Sequence, residues 1–333
     1  MGGHAVRSVL RRLRVFLCVA VAVAFLALGC DTTEPEGRRS RQDAIPKDAV
    51  KVTPETDHFV PALQAAGWAG PEPVAGPINT AGGEDSPFVS PDGGLLLFFF
   101  TPDVDVPASQ QVSDGVSGIW VSTLTGGAWN EPEFVDLSDV PSLEGCPTLA
   151  GEDLWFASAR GGNYGEIDVW IAERSGPAQW GNWRNAGTHI NIECDIGEWH
   201  LTSDGDTLYF GAVNSLGYGD LDIWAMARDG DDWGIPWNLG PTVNASGHES
   251  RPFVTTDRSE LWFTGTSRLG YHGPAVFRSV RTPEGGWGEP EEIISNYAAE
   301  PCLDDDGNIY FIHHFMTADE DMIEADVYLC RRL

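Results

Sequence analysis

The chain opens on a basic stretch and an unbroken apolar run, Val15 to Leu28, then turns polar until about residue 60. Fourteen apolar residues are too few to cross a bilayer as a helix and match the apolar centre of a signal peptide. From residue 61 the pattern changes. Short apolar-aromatic runs alternate with Gly, Pro, Asp and Ser clusters, a period of two rather than 3.6. Leu96-Leu97-Phe98, Leu154-Trp155-Phe156, Leu208-Tyr209-Phe210, Leu261-Trp262-Phe263 and Ile309-Tyr310-Phe311 form one recurring strand. Ile119-Trp120, Val169-Trp170, Ile223-Trp224, Val276-Phe277 and Val327-Tyr328 form another. Turns such as Ser90-Pro91-Asp92-Gly93 and Thr202-Ser203-Asp204-Gly205 precede the first set. Pro fixes φ there, Asp bonds back to its own backbone, and Gly accepts positive φ.

A third mark is tryptophan. Trp68, Trp129, Trp180, Trp233 and Trp287 recur at intervals of 61, 51, 53 and 54. Four stand in Trp-x-x-Pro, ending at Pro71, Pro132, Pro236 and Pro290, and the third has Trp183 there. Asn79, Asn191 and Asn244 each lie eleven residues after one of these tryptophans. Each unit therefore reads as strand, tight turn, strand, Gly-rich loop, strand, then the Trp strand. Four short strands in about fifty residues is the period of a propeller blade.

The reading is an all-β, five-bladed β-propeller over residues 61–333. Its last unit ends at Leu333 without a Trp strand, and the Trp68 strand has no blade before it. Joining the two closes the ring and removes two exposed edges. Six blades would require another unit, and residues 31–60 do not resemble one.

Composition changes the picture in one respect. Fifty acidic residues against 20 basic ones give a formal charge of −30, which argues against nucleic-acid binding through phosphates. The four arginines before the apolar run would leave with a signal peptide, making the remainder more acidic still.

Two resemblances follow. Ala27-Leu28-Gly29-Cys30 resembles a bacterial lipobox, which implies a signal peptide over residues 1–29 and a lipid on Cys30. Residues 30–60 then read as a polar tether. Asp204-Gly205-Asp206-Thr207-Leu208-Tyr209-Phe210 with Gly217-Tyr218-Gly219-Asp220-Leu221-Asp222-Ile223-Trp224 resembles the WD40-like PD40 repeat of TolB-like propellers. Arg160-Gly161-Gly162 through Asp168-Val169-Trp170 is similar. Blades 1 and 4 depart from it, with Gly118 and Ala275 where the others carry Asp. The resemblance implies an exported protein of the bacterial cell envelope, held by its lipid to the inner or outer membrane. A nearly uniform repeat without a distinctive catalytic insertion points to a non-catalytic scaffold that binds an envelope protein or glycan, and a monomer is expected. The alternative is a carbohydrate-active enzyme using channel-facing carboxylates, which needs two acids at a defined separation.

Candidate chemistry is acidic. Glu84, Glu144 and Glu249 lie three residues before the Pro that opens a first strand, and Glu198 and Glu300 sit one before the equivalent position. They could ring a channel mouth and bind a cation or basic peptide, or satisfy local backbone N–H groups. Asp168, Asp222 and Asp326 could bind calcium, but as repeat positions they fit loop bracing better. Asp304-Asp305-Asp306-Gly307 lacks the spacing of a calcium loop and reads as a hairpin tip. His313-His314, His200 and His248 form no metal-ligand spacing, so no catalytic residue, metal site or cofactor is assigned beyond a structural calcium. Tyr164, Tyr218 and Tyr271 recur in equivalent loops, where packing is the expected role.

Cys18 would leave with the signal, and Cys146, Cys194, Cys302 and Cys330 would remain in an oxidising compartment. Cys146 and Cys194 precede first strands of adjacent blades and form a candidate disulfide. Pairing Cys302 with Cys330 would join strands that are not neighbours in a blade.

Overall fold

The computed structural model describes residues 40–333, except 195, 196, 215 and 231. The expected signal peptide and lipobox, with Cys30, lie outside the described residues. Among the described residues the strands group into five antiparallel units, each meandering from an inner strand outward. The inner strands are Gly83–Val89, Glu144–Ala150, Gly197–Leu201, Ser250–Val254 and Ala298–Leu303. Each touches the next, and Ala298–Leu303 touches Gly83–Val89 again. That circuit of five is a closed β-propeller.

The second strands explain the apolar runs. Leu95–Thr101 and Ile309–Met316 are buried along their whole length. A strand covered by a neighbouring blade on each face has no solvent side, so its sequence does not alternate.

The closure is as the sequence predicts. Glu72–Pro73 pairs with Met322–Cys330, the third strand of blade 5, with Glu72 opposite Leu329. Trp68 bridges Arg332 in the same antiparallel sense. The N-terminal strand thus supplies the outer edge of the last blade. A further short strand, Ala62–Leu63, extends blade 4 by pairing with Glu291–Ser295.

Each Trp of the repeat sits across an antiparallel pair from a cation in blades 2 to 5. The guanidinium carbons of Arg174, Arg228, Arg281 and Arg332 lie 5.9, 4.0, 4.4 and 4.3 Å from the ring centroids of Trp180, Trp233, Trp287 and Trp68. In blade 1, Leu124 takes that place opposite Trp129. Such contacts contribute about 0.5–1 kcal/mol each at partly exposed sites.

The tether expected over residues 30–60 is corrected from Ser40 onward. Ser40 caps a single helical turn, Arg41–Ala44, and Arg41 is only 3% exposed. Its guanidinium donates to the Ile78 carbonyl at 2.7 Å and to Glu84 at 3.1 Å, against the rings of Phe98, Phe100 and Trp120. Lys51 pairs with Glu324 and Asp326 of blade 5. Asp57 meets His313 at 2.9 Å, and Phe59 packs on His272 and Tyr297. A polar segment is held here by ion pairs to residues far along the chain, and its local composition carries no trace of them.

Candidate functional site in the central channel

Each inner strand contains a β-bulge, and at each bulge one non-glycine residue adopts positive φ. They are Ser86 (51°), Cys146 (50°), Glu198 (33°), Arg251 (50°) and Glu300 (58°). A non-glycine residue in this region costs about 1–3 kcal/mol, and five equivalent instances mark a built feature. A bulge re-aims its side chain. Four of the five precede a proline, so the sequence carried a signal for the position.

The five side chains converge. Arg251 Nε lies 2.8 Å from Glu198 Oε2, and Arg251 Nη2 lies 3.2 Å from Glu300 Oε1. Arg251 Nη1 donates to Ser86 Oγ at 3.1 Å and approaches Cys146 Sγ at 3.5 Å. One guanidinium therefore touches a residue from every other blade. Prolines 87, 147, 252 and 301 with Phe88 and Phe253 line a cavity of about 50 Å³ beside it. That volume admits water-sized ligands, whereas a typical small-molecule pocket is about 300–1,000 Å³.

Burial dominates the electrostatics. It pushes the Glu300 carboxyl well above the usual carboxylate range and raises Glu198 as well, both against the pull of Arg251. It pushes the Cys146 thiol up to about 11 and the His314 imidazole down to about 4. The channel thiol is therefore protonated and unreactive at neutral pH.

The five glutamates expected at a channel mouth divide into two sets. Glu198 and Glu300 reach the channel. Glu84, Glu144 and Glu249 do not, and the ring expectation is corrected for these three. Glu84 accepts from Thr80 N at 2.9 Å and from Arg41. Glu144 accepts from Ser158 and Arg160, and Glu249 from Ala245 N at 2.8 Å. They brace the entry to a blade because a buried carboxylate needs donors, and these loops provide them.

The aspartates before the third strands also brace loops. Asp168 accepts from Tyr164 N, Gly165 N and Asn185, and Asp222 accepts from Tyr218 N, Gly219 N and Asn238. In blade 5, Lys51 occupies Asp326 instead. Where the repeat lacks Asp, other residues substitute. In blade 4, Glu292 accepts from Ser267 Oγ, Arg268 N and Leu269 N. In blade 1, Asp114 takes the loop, while a Cβ on Gly118 (φ 146°) would lie 3.0 Å from the Phe134 ring. Asp304 holds its own hairpin through Asn308 N.

The expected Cys146–Cys194 bridge is corrected. Cys146 is a free thiol turned toward Ser86 and Arg251, and the Cys194 side chain lies outside the described residues. Cys302 and Cys330 are also free and buried, with Ile309–Met316 between their strands. The packing expected of the loop tyrosines is corrected too: Tyr164, Tyr218 and Tyr271 are 54%, 52% and 41% exposed.

No protein-family model and no curated protein matches this sequence. Solved structures do. TolB from Acinetobacter baumannii is 13% identical with a TM-score of 0.41, over 76% of this chain and 55% of that one. The chain thus spans about half the length of that TolB. The α-L-arabinofuranosidase PaAbf62A from Podospora anserina is 11% identical with a TM-score of 0.48, over 79% and 95%. A glycosyl hydrolase from Bacteroides ovatus is 10% identical with a TM-score of 0.45, over 75% and 84%. The shared feature is the β-propeller. At these identities the likeness concerns the fold and does not extend to chemistry.

Proposed function

We propose that this chain is an exported, lipid-anchored propeller of the PD40 kind that acts as a non-catalytic binding scaffold at the bacterial envelope. The observation that carries the reading is the exposure of Tyr164, Tyr218 and Tyr271. They occupy equivalent loops between second and third strands of blades 2, 3 and 4, so they share one end of the propeller. Rings that recur in equivalent loops yet remain in solvent serve poorly as packing and well as contacts for protein or sugar. Their loops are already braced by Asp168, Asp222 and Glu292. In blade 3 a Cβ on Gly219 would lie 2.3 Å from the Gly247 carbonyl oxygen, so that loop is pressed onto its neighbour. Pre-ordering of this kind lowers the entropy cost of binding.

The channel supports the same reading. Glu198 and Glu300 are both engaged with Arg251 beside a small cavity. Glycoside hydrolysis would require that cation to withdraw and the space to enlarge. The test uses the purified full chain in detergent as bait against solubilised envelope, beside a Y164S/Y218S/Y271S variant. We expect a specific protein or glycan partner that the variant loses while its melting temperature holds. Unchanged capture by the variant would reject the tyrosine surface. Glycoside turnover abolished by E198Q or E300Q would replace the scaffold reading with the enzymatic one.

A further inference from the structure

A second constellation shares the inner ring. Asp85 precedes the bulge residue of blade 1, Glu300 is the bulge residue of blade 5, and His314 lies on the second strand of blade 5. Each offers one ligand atom, and these atoms all lie within 4.8 Å of one another. Asp85 and His314 are buried, and the Glu300 side chain is 10% exposed.

Two further observations point to a missing partner. His314 Nδ1 is buried without a hydrogen bond, whereas the Glu300 carboxyl meets Arg251 through Oε1 and has Asp85 as its neighbour. The large majority of buried side-chain polar atoms in proteins have a hydrogen-bond partner. The carboxyls of Asp85, Glu198 and Glu300 also lie close enough to disfavour one another's charge. Surplus negative charge in a low-dielectric interior is relieved by a proton or by a cation. The buried imidazole of His314 offers a ring nitrogen that can serve as a ligand.

We propose that Asp85, Glu300 and His314 bind one divalent cation of the zinc type, at the junction of blades 5 and 1. Two carboxylates and an imidazole make a three-ligand set that water completes to a tetrahedron. Calcium takes about six to eight oxygens, which this cluster does not supply. Ligands about 2.0–2.1 Å from zinc stand about 3.4 Å apart, so side-chain adjustments of about 1.5 Å or less would close the site. The adjoining cavity of about 50 Å³ has room for the water. The ion would clamp the inner strands of the first and last blades, which meet where the ring closes.

The purified full chain in detergent, stripped with EDTA, would be titrated separately with zinc, calcium and magnesium chlorides by calorimetry. We expect one zinc per chain, a raised melting temperature with zinc, and no comparable calcium or magnesium binding. D85N and H314Q should each weaken zinc binding at least tenfold, while the outer histidine variants H248Q and H272Q should not. Melting in EDTA identifies any variant that fails to fold, and E300Q then replaces it. Absence of saturable zinc binding would overturn the proposal. So would zinc binding that survives H314Q but is lost in H248Q or H272Q, or stoichiometric calcium binding without preference for zinc.

Discussion

Asn79 and Val327 stand 248 residues apart and exchange two hydrogen bonds, Val327 N to Asn79 Oδ1 and Asn79 Nδ2 to Val327 O, each 2.9 Å. The side-chain amide acts as one more peptide group on the third strand of blade 5. Asn191 does the same for Val169, and Asn244 for Ile223. In blades 2 and 3 the pair lies 22 and 21 residues apart, whereas Asn79 makes the contact between the two ends of the chain. Asn79→Ala would strand the Val327 N–H, while the Val327 carbonyl keeps the Val74 N–H at 2.9 Å, and should cost about 1–3 kcal/mol. Urea unfolding checks this, with Asn244→Ala as the internal comparison expected to cost a similar amount. A neutral Asn79→Ala would mean that the closure relies on the Glu72–Pro73 pairing and the Trp68 bridge instead.

Removing Arg251 should be severe at neutral pH. Arg251→Met leaves Glu198 and Glu300 buried without their cation, a loss of about 3–5 kcal/mol. Burial raises both carboxyls in the folded state, so their contribution is fully present below the unfolded carboxylate pKa and is lost as pH rises. The Met variant should therefore lie nearer wild type at pH 5 than at pH 7. Melting curves at both values decide it. A pH-independent deficit would locate the effect in packing instead.

The N-terminal segment should behave as part of the propeller. Lys51 is the cation for Glu324 and Asp326, whose side chains are nearly inaccessible. Lys51→Met should destabilise by about 3 kcal/mol and release residues 40–60. Limited proteolysis reports it directly: this segment should resist cleavage in the wild type and be cut early in the variant. Equal cleavage in both would show that the ion pairs do not hold it.

His200 gives a distinct acid signature. Its ring is buried, Nε2 lies 3.1 Å from the Val254 carbonyl, and burial pushes its pKa down to about 4. Its stabilising effect is full above the unfolded histidine value near 6.5 and is lost as pH falls toward 4. The limiting effect is about 3 kcal/mol. The stability difference between wild type and His200→Gln should shrink by that order between pH 7 and pH 4. The difference cancels the opposing contribution of raised carboxyls such as Glu249, which favour the folded state in acid. A constant difference would mean that His200 does not stay neutral.

Much of the fold is legible because a blade is a local object. Turn chemistry at Ser90-Pro91-Asp92-Gly93, the apolar second strands and the Trp spacing all act within about fifty residues, so repetition amplifies them. Closure by the Trp68 strand is legible for a related reason: an incomplete last unit and an orphan first strand complement each other. The role of Asp168 and Asp222 as loop braces follows from their recurrence as well.

The channel depends on something repetition hides. Ser86, Cys146, Glu198, Arg251 and Glu300 occupy one repeat position with dissimilar side chains, so they do not read as a set. Ring closure alone brings them within reach of one another and makes Arg251 the shared partner. His314 likewise joins Asp85 only because blade 5 is followed in space by blade 1. Docking of Arg41 and Lys51 rests on buried acids that the sequence presents as ordinary charges. Local propensity and periodicity determined the blade. Only tertiary structure decided which carboxylates lost their water, and desolvation is what turns a common acidic residue into a site.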